Sequence, residues 1–209
     1  MRWGRYRLAF AAKLLCAKGM IRPMDTDLTG KLLVAMPGIG DPRFENAVVF
    51  VCAHSSDGSM GLMINKISEE IEPGDIFEQL DIAVSATMRP LPVHFGGPVE
   101  IGRGFVLHSS DYTSENGSMD VCDGYCMTAS REILRDLAMG EGPAARLLCL
   151  GYAGWGPGQL EDEISANGWL TCDADAQIVF DLSADKKWEA ALRSIGVTPA
   201  LLSSEAGRA

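Results

Sequence analysis

A chain of 209 residues that is 47% hydrophobic and 22% charged can bury one sizeable core and is too apolar for wholesale disorder. Charge is unevenly spread: Arg2, Arg5, Arg7, Lys13, Lys18 and Arg22 stand in residues 1–22 without an acid, so the other 187 residues hold 12 bases and 28 acids, a net of −16. Such a body repels a phosphate backbone and disfavours direct DNA binding. No stretch reaches the roughly 18 to 20 apolar residues of a membrane span.

Three readings of the N-terminus stay open. It is a mobile extension or an upstream start with Met20 or Met24 as the working start, a basic amphipathic segment, or a cleaved export signal. Lys13 interrupts its apolar stretch and no A-x-A site follows. The expected organisation is a basic extension over 1–24, one domain over 25–199 and a frayed tail over 200–209. The six cysteines are scattered; Cys52 and Cys149 sit in apolar runs, as buried free thiols of a cytoplasmic protein do. Cys122 and Cys126 form a C-x3-C pair, but no second Cys/His pair completes a zinc tetrad.

In chain order, residues 31–36 predict a strand that stops at Pro37-Gly38. The run 47–53 predicts a strand buried on both faces, and a Ser-Asp-Gly turn joins it to a hairpin partner over 60–65. A short helix over 75–80 is expected, with Asp75 capping it and Ile76, Phe77 and Leu80 inward. Strands follow over 92–95, 104–109 and 118–122. A helix over 129–139 is capped by Thr128 or Ser130 and stopped by Gly140. A strand over 145–153, an acidic helix over 158–166 and strands over 169–173 and 178–181 come next. The last helix starts at Ser183, points Trp188, Ala191, Leu192 and Ile195 inward, and ends at Gly196. Many strand gaps are too short for a parallel crossover. The fold class is therefore α+β: one domain with a mixed, largely antiparallel sheet and a few dispersed helices.

Three segments, in order, resemble the YqgE/AlgH family of bacterial proteins. They are GKLLVAMP…DPRFENAVVFVCAH…GSMGLMINK from Gly30 to Lys66, HFGGPV…RGFVLH from His94 to His108, and GYAGWGPGQLEDEI…NGWL from Gly151 to Leu170. The resemblance spans about residues 28–196. It implies an α+β fold, a cytosolic location and the description these proteins commonly carry, that of transcriptional regulators. It carries over no catalytic residue.

The residues themselves give several candidate sites. Asp41 and Arg43, with Phe44, follow the first strand in a Gly-rich loop that could cradle an anion, although no Walker or G-x-G-x-x-G pattern is present. Gly96 and Gly97 either make a turn or let a ligand approach bare backbone. Trp155, on a Gly-rich stretch ahead of Gln159, Glu161, Asp162 and Glu163, is either structural or an exposed aromatic that grips a partner or small ligand. His54, Asn65, His94 and His108 lie at strand ends. The histidines either bond strand carbonyls or, with Asp41 or Glu161, converge on a metal, although their spacing has no H-x-H or H-x3-H pattern.

Nucleophilic catalysis has no signature: there is no G-x-S-x-G elbow, and Ser55 and Ser109 point away from the histidines they follow. No bound cofactor or metal is predicted. The favoured reading is a regulatory protein that binds a protein partner or small ligand through residues 151–163. Direct DNA regulation and a metal-assisted hydrolase are the alternatives.

Overall fold

The computed structural model describes residues 27–114 and 117–202. The expectations for residues 1–24 and for 203–209 of the tail therefore fall outside the described residues. Nine strands lie within them: β1 (Lys31–Ala35), β2 (Val48–Ser55), β3 (Gly58–Met63), β4 (Val93–Phe95), β5 (Val99–Ser109), β6 (Met119–Cys122), β7 (Tyr125–Thr128), β8 (Arg146–Trp155) and β9 (Trp169–Asp173). Four α-helices accompany them: α1 (Pro73–Gln79), α2 (Arg131–Met139), α3 (Gln159–Ser165) and α4 (Ala184–Ser194). No described helix is long and apolar enough to cross a membrane.

The strands form one sheet in the order β6-β7-β5-β8-β3-β2-β1-β9, antiparallel at each step, with β4 added parallel to β8. The sheet curls, so Tyr125 Oη of β7 donates to the Ala174 carbonyl just beyond β9, at 3.3 Å. The α+β class and the mixed, largely antiparallel sheet are as the sequence predicts.

β1 and β2 explain why the middle of the sheet is apolar throughout. Side chains alternate along a strand. Leu32, Val34, Val48, Phe50 and Cys52 enter one face, and Leu33, Ala35, Val49 and Val51 the other. Each fully buried side chain of this kind contributes about 1.5–3 kcal/mol. The first face is continuous from β1 to β7 and is covered by α4 through Ala191 and Leu192. The second face is divided. α3 covers the β1–β2–β3 half with Leu160. α2 covers the β5–β8 half with Ile133, Leu134, Leu137 and Ala138, and Phe77 of α1 joins them.

β8 serves both halves because it is kinked. Gly151 has φ 69°, and a Cβ there would lie 2.4 Å from the Gly97 carbonyl oxygen. The irregularity matches a register shift on β5 between Val99 and Gly104. Beyond it Ala153 and Trp155 turn to the α3 face.

Several expectations need correction. Residues 177–181 are a π-helical turn and not a strand: the Asp175 carbonyl accepts from Val179 N and its carboxylate accepts from Gln177 N, which closes the backbone locally. The strand β7 was not foreseen, because Tyr125–Thr128 is short and follows β6 through a two-residue turn. Glu72, not Asp75, is the N-cap of α1; Pro73 fixes the first turn, and Asp75 Oδ2 accepts from Glu72 N as the other half of a capping box. Lys187 of α4 is buried, while Ile195, the residue that caps its C-terminal end, is 37% exposed and does not point inward.

Candidate functional site

The candidate site lies where the tip of the β2–β3 hairpin meets α3. Ser55 faces Gly58, so the connecting loop is Ser56-Asp57 and the next cross-strand pair is His54–Ser59. Ser59 in turn faces Trp155 on β8. Cross-strand partners share a face. His54, Ser59 and Trp155 therefore make a row across three strands, on the side that α3 covers.

α3 is short and buries only Leu160 completely. Polar bonds hold it. Glu163 Oε2 accepts from Trp155 Nε1 at 3.0 Å and from Trp169 Nε1 at 2.8 Å, while Oε1 accepts from Gln159 Nε2 at 2.9 Å. Gln159 Oε1 accepts from Gly156 N at 3.0 Å. Trp155 and Trp169 meet edge to face at 6.0 Å, and Phe44 meets Trp169 likewise at 5.6 Å. Trp155 is thus 7% exposed. The expected exposed gripping aromatic is corrected: its ring is part of the floor, and its N–H is spent on Glu163.

Glu161, two residues earlier on the same helix and so about 200° around its axis, points elsewhere. Its Oε1 stands 3.7 Å from His54 Nε2, with the carboxylate side chain 32% exposed and the imidazole 8%. On the other ring nitrogen, His54 Nδ1 lies 2.8 Å from Ser59 Oγ. A hydroxyl, an imidazole and a carboxylate from three elements therefore stand in line at the surface. Ser59 was not singled out from the sequence. The signal was present: once Ser56-Asp57 is taken as the loop, residue 59 must oppose residue 54.

The other candidates settle into different roles. Asp41 and Arg43 bond each other: Asp41 Oδ1 accepts from Arg43 N and Nε, both at 3.0 Å, and Oδ2 from a terminal guanidinium nitrogen at 2.5 Å. These Arg43 hydrogen bonds hold the Asp41 carboxyl below its usual range. The pair caps a 3-10 turn at Pro42–Phe44 that seats Phe44 on Trp169.

At Gly96 and Gly97 bare backbone is approached closely, but by β8. A Cβ on Gly97 would lie 2.0 Å from the Tyr152 carbonyl carbon, and one on Gly96 2.3 Å from the Gly151 oxygen. Asn65 bridges the loop before β2, accepting from Val48 N and donating to the Asn46 carbonyl, each at 2.8 Å. Asn46, Asn65, Lys66, Asp185, Trp188 and Glu189 line an open groove of about 340 Å³ between this loop and α4.

The remaining histidines are internal. His94 is buried, its Nδ1 is 3.3 Å from the Leu148 carbonyl oxygen, and burial, with the nearby Lys187 charge, pushes its pKa down to about 4. His108 Nδ1 lies 2.8 Å from the Ser109 oxygen and Nε2 2.9 Å from Thr128 Oγ1, and burial lowers its pKa too. Among the described residues no group of three or more His, Cys, Asp or Glu side chains is placed to hold a metal ion. The thiols of Cys52 and Cys149 are buried, and desolvation raises both, the latter to about 12, so neither offers a thiolate.

A curled antiparallel sheet with α3 clamped on one half and α2 on the other defines the class: a single-domain α+β protein of the AlgH type. The AlgH-like family matches residues 32–200, and the chain belongs to that family. A UPF0301 protein of Ruegeria pomeroyi is 56% identical over 184 residues, covering 88% of this chain and 100% of its own length. One from a Jannaschia species is 53% identical, over 88% and 96%. The solution structure of AlgH from Pseudomonas aeruginosa superposes with a TM-score of 0.73 at 39% identity, over 91% of this chain and 100% of that one. A Corynebacterium diphtheriae protein shares the fold alone, with a TM-score of 0.64 at 18% identity.

Proposed function

We propose that the protein is a cytoplasmic regulatory binding protein that engages a protein partner or small ligand where the β2–β3 hairpin meets α3. The observation that carries this reading is the contrast between two carboxylates of one helix. Glu163 is spent on three donors in the floor. Glu161 is a third exposed, beside the His54 imidazole. A carboxylate and an imidazole at the rim of a rigid aromatic floor supply an acceptor and a donor at fixed positions, which is how a few polar groups set binding specificity. Gln159 borders the same rim, and Asp41 and Arg43 brace the floor through Phe44.

Regulation through a bound partner also agrees with the acidic body, which is unsuited to holding DNA itself. The test is affinity capture and a small-ligand thermal-shift screen, run on wild type and on Glu161→Ala. A partner or ligand kept by wild type and lost by a folded Glu161→Ala supports the reading. Equal binding by both removes it.

A further inference from the structure

We propose that Ser59, His54 and Glu161 form a metal-free acyl-transfer centre acting on small esters. The proposal uses the same rim as the binding reading and adds covalent chemistry to it. Ser59 Oγ and His54 Nδ1 are 2.8 Å apart, within reach for proton transfer. His54 Nε2 faces the Glu161 carboxylate at 3.7 Å; in the tautomer with its proton on Nε2, Nδ1 is left to accept from Ser59. This is the nucleophile, base and orienting acid arrangement, recognised by geometry and not by chain order.

Ser59 is half-buried, and its neighbours at the strand ends are Gly58 and Gly156. Gly156 N donates to a side chain, Gln159 Oε1, at 3.0 Å.

The step balances without a metal or redox partner. The Ser59 oxygen attacks the acyl carbon as its proton passes to His54 Nδ1. The C–O bond to the alcohol breaks, and the leaving oxygen takes that proton. Water then attacks the acyl-serine, gives a proton to His54, and the Ser59 oxygen recovers it as the carboxylic acid leaves.

The experiment is stopped-flow hydrolysis of p-nitrophenyl acetate by the full chain, with peptide mass spectrometry of acid-quenched samples. The expected result is a burst of nitrophenolate and an acetyl group on Ser59. Ser59→Ala should abolish both. His54→Gln should slow acylation at least about 100-fold. Glu161→Gln should slow it by about tenfold or more, as does loss of a group that orients the imidazole. Each variant's thermal melt confirms its fold, and Ser59→Ala, which removes one surface oxygen, keeps the test available if His54→Gln unfolds. No burst, or acetyl groups confined to residues other than Ser59, overturns the proposal. It leaves the binding reading standing if Glu161→Ala still loses its partner.

Discussion

The two halves of the sheet's divided face are covered by different means. α2 sets four apolar side chains into its half, Ile133, Leu134, Leu137 and Ala138. Its ends are closed by Ser130, whose Oγ accepts from Ile133 N, and by Gly140 in the left-handed region. α3 has seven residues, one fully buried side chain and a glycine N-cap that makes no side-chain bond. It stays in place through Glu163 and the two indoles. A helix too short to pay its ordering cost with apolar area needs directional bonds. Those bonds set where the helix lies against the sheet. That is why the functional reading falls on the α3 half.

The largest expected effects break this contrast. Trp155→Ala removes a buried ring and one of the donors to Glu163, and should cost about 3–5 kcal/mol in urea denaturation. Leu134→Ala in α2 should cost about 2–5 kcal/mol. Glu163→Leu separates the two halves: it leaves the Trp155, Trp169 and Gln159 donors without their acceptor and should cost about 1–3 kcal/mol or more. A change of Arg135, on the exposed side of α2, should stay within about 0.5 kcal/mol.

The pH dependence comes from beneath the sheet. His94 titrates near 4 when folded and near 6.5 when unfolded. Between those values the unfolded chain holds more protons, so stability falls as pH drops from about 6.5 to 4, by about 3 kcal/mol from this group. Lys187 is buried on α4, where its Nζ donates to the Val179 carbonyl at 2.6 Å. Desolvation lowers its pKa to about 8 from 10.5. The unfolded chain again holds the extra proton, so stability rises from pH 8 to 10.5, also by about 3 kcal/mol. Denaturation series of His94→Asn and Lys187→Met against wild type should each lose the corresponding slope.

Glu161→Ala removes a partly exposed carboxylate that faces the His54 imidazole, and should change stability by less than about 1 kcal/mol. At the other extreme of contact, an electrophoretic shift assay at physiological salt should show no duplex DNA binding by the chain, given its net charge of −10.

Much of the fold was legible. The continuous apolar run 47–53 marks a strand buried on both faces, residues 31–36 read as a strand, and the stop at Gly140 and the start near Ser183 follow from local chemistry. The π-helical turn at 177–181 was not, because Ile178 and Val179 are apolar and β-branched, as in a strand, and only Asp175 closes them into a turn. The site was half legible. Glu161 was named as a partner for a histidine, and His54 as a candidate. Of the two readings of Trp155, structural and exposed, the buried ring fits the structural one; the glycines around it suggest a loop, whereas β8 runs through to it and ends there. Gly96 and Gly97 announced a close backbone approach, and the sequence could not say that β8 was the approaching strand.

In the proposed reading, the Glu161 side of α3 serves binding and the Glu163 side serves structure. The most direct test is a paired measurement on Glu161→Ala and Glu163→Leu: a thermal melt, and the affinity for whatever partner or ligand wild type retains. The expected result is a near wild-type melt with at least tenfold weaker binding for Glu161→Ala, and a lowered melt for Glu163→Leu. A Glu161→Ala that binds as wild type does, or that melts as early as Glu163→Leu, would contradict it.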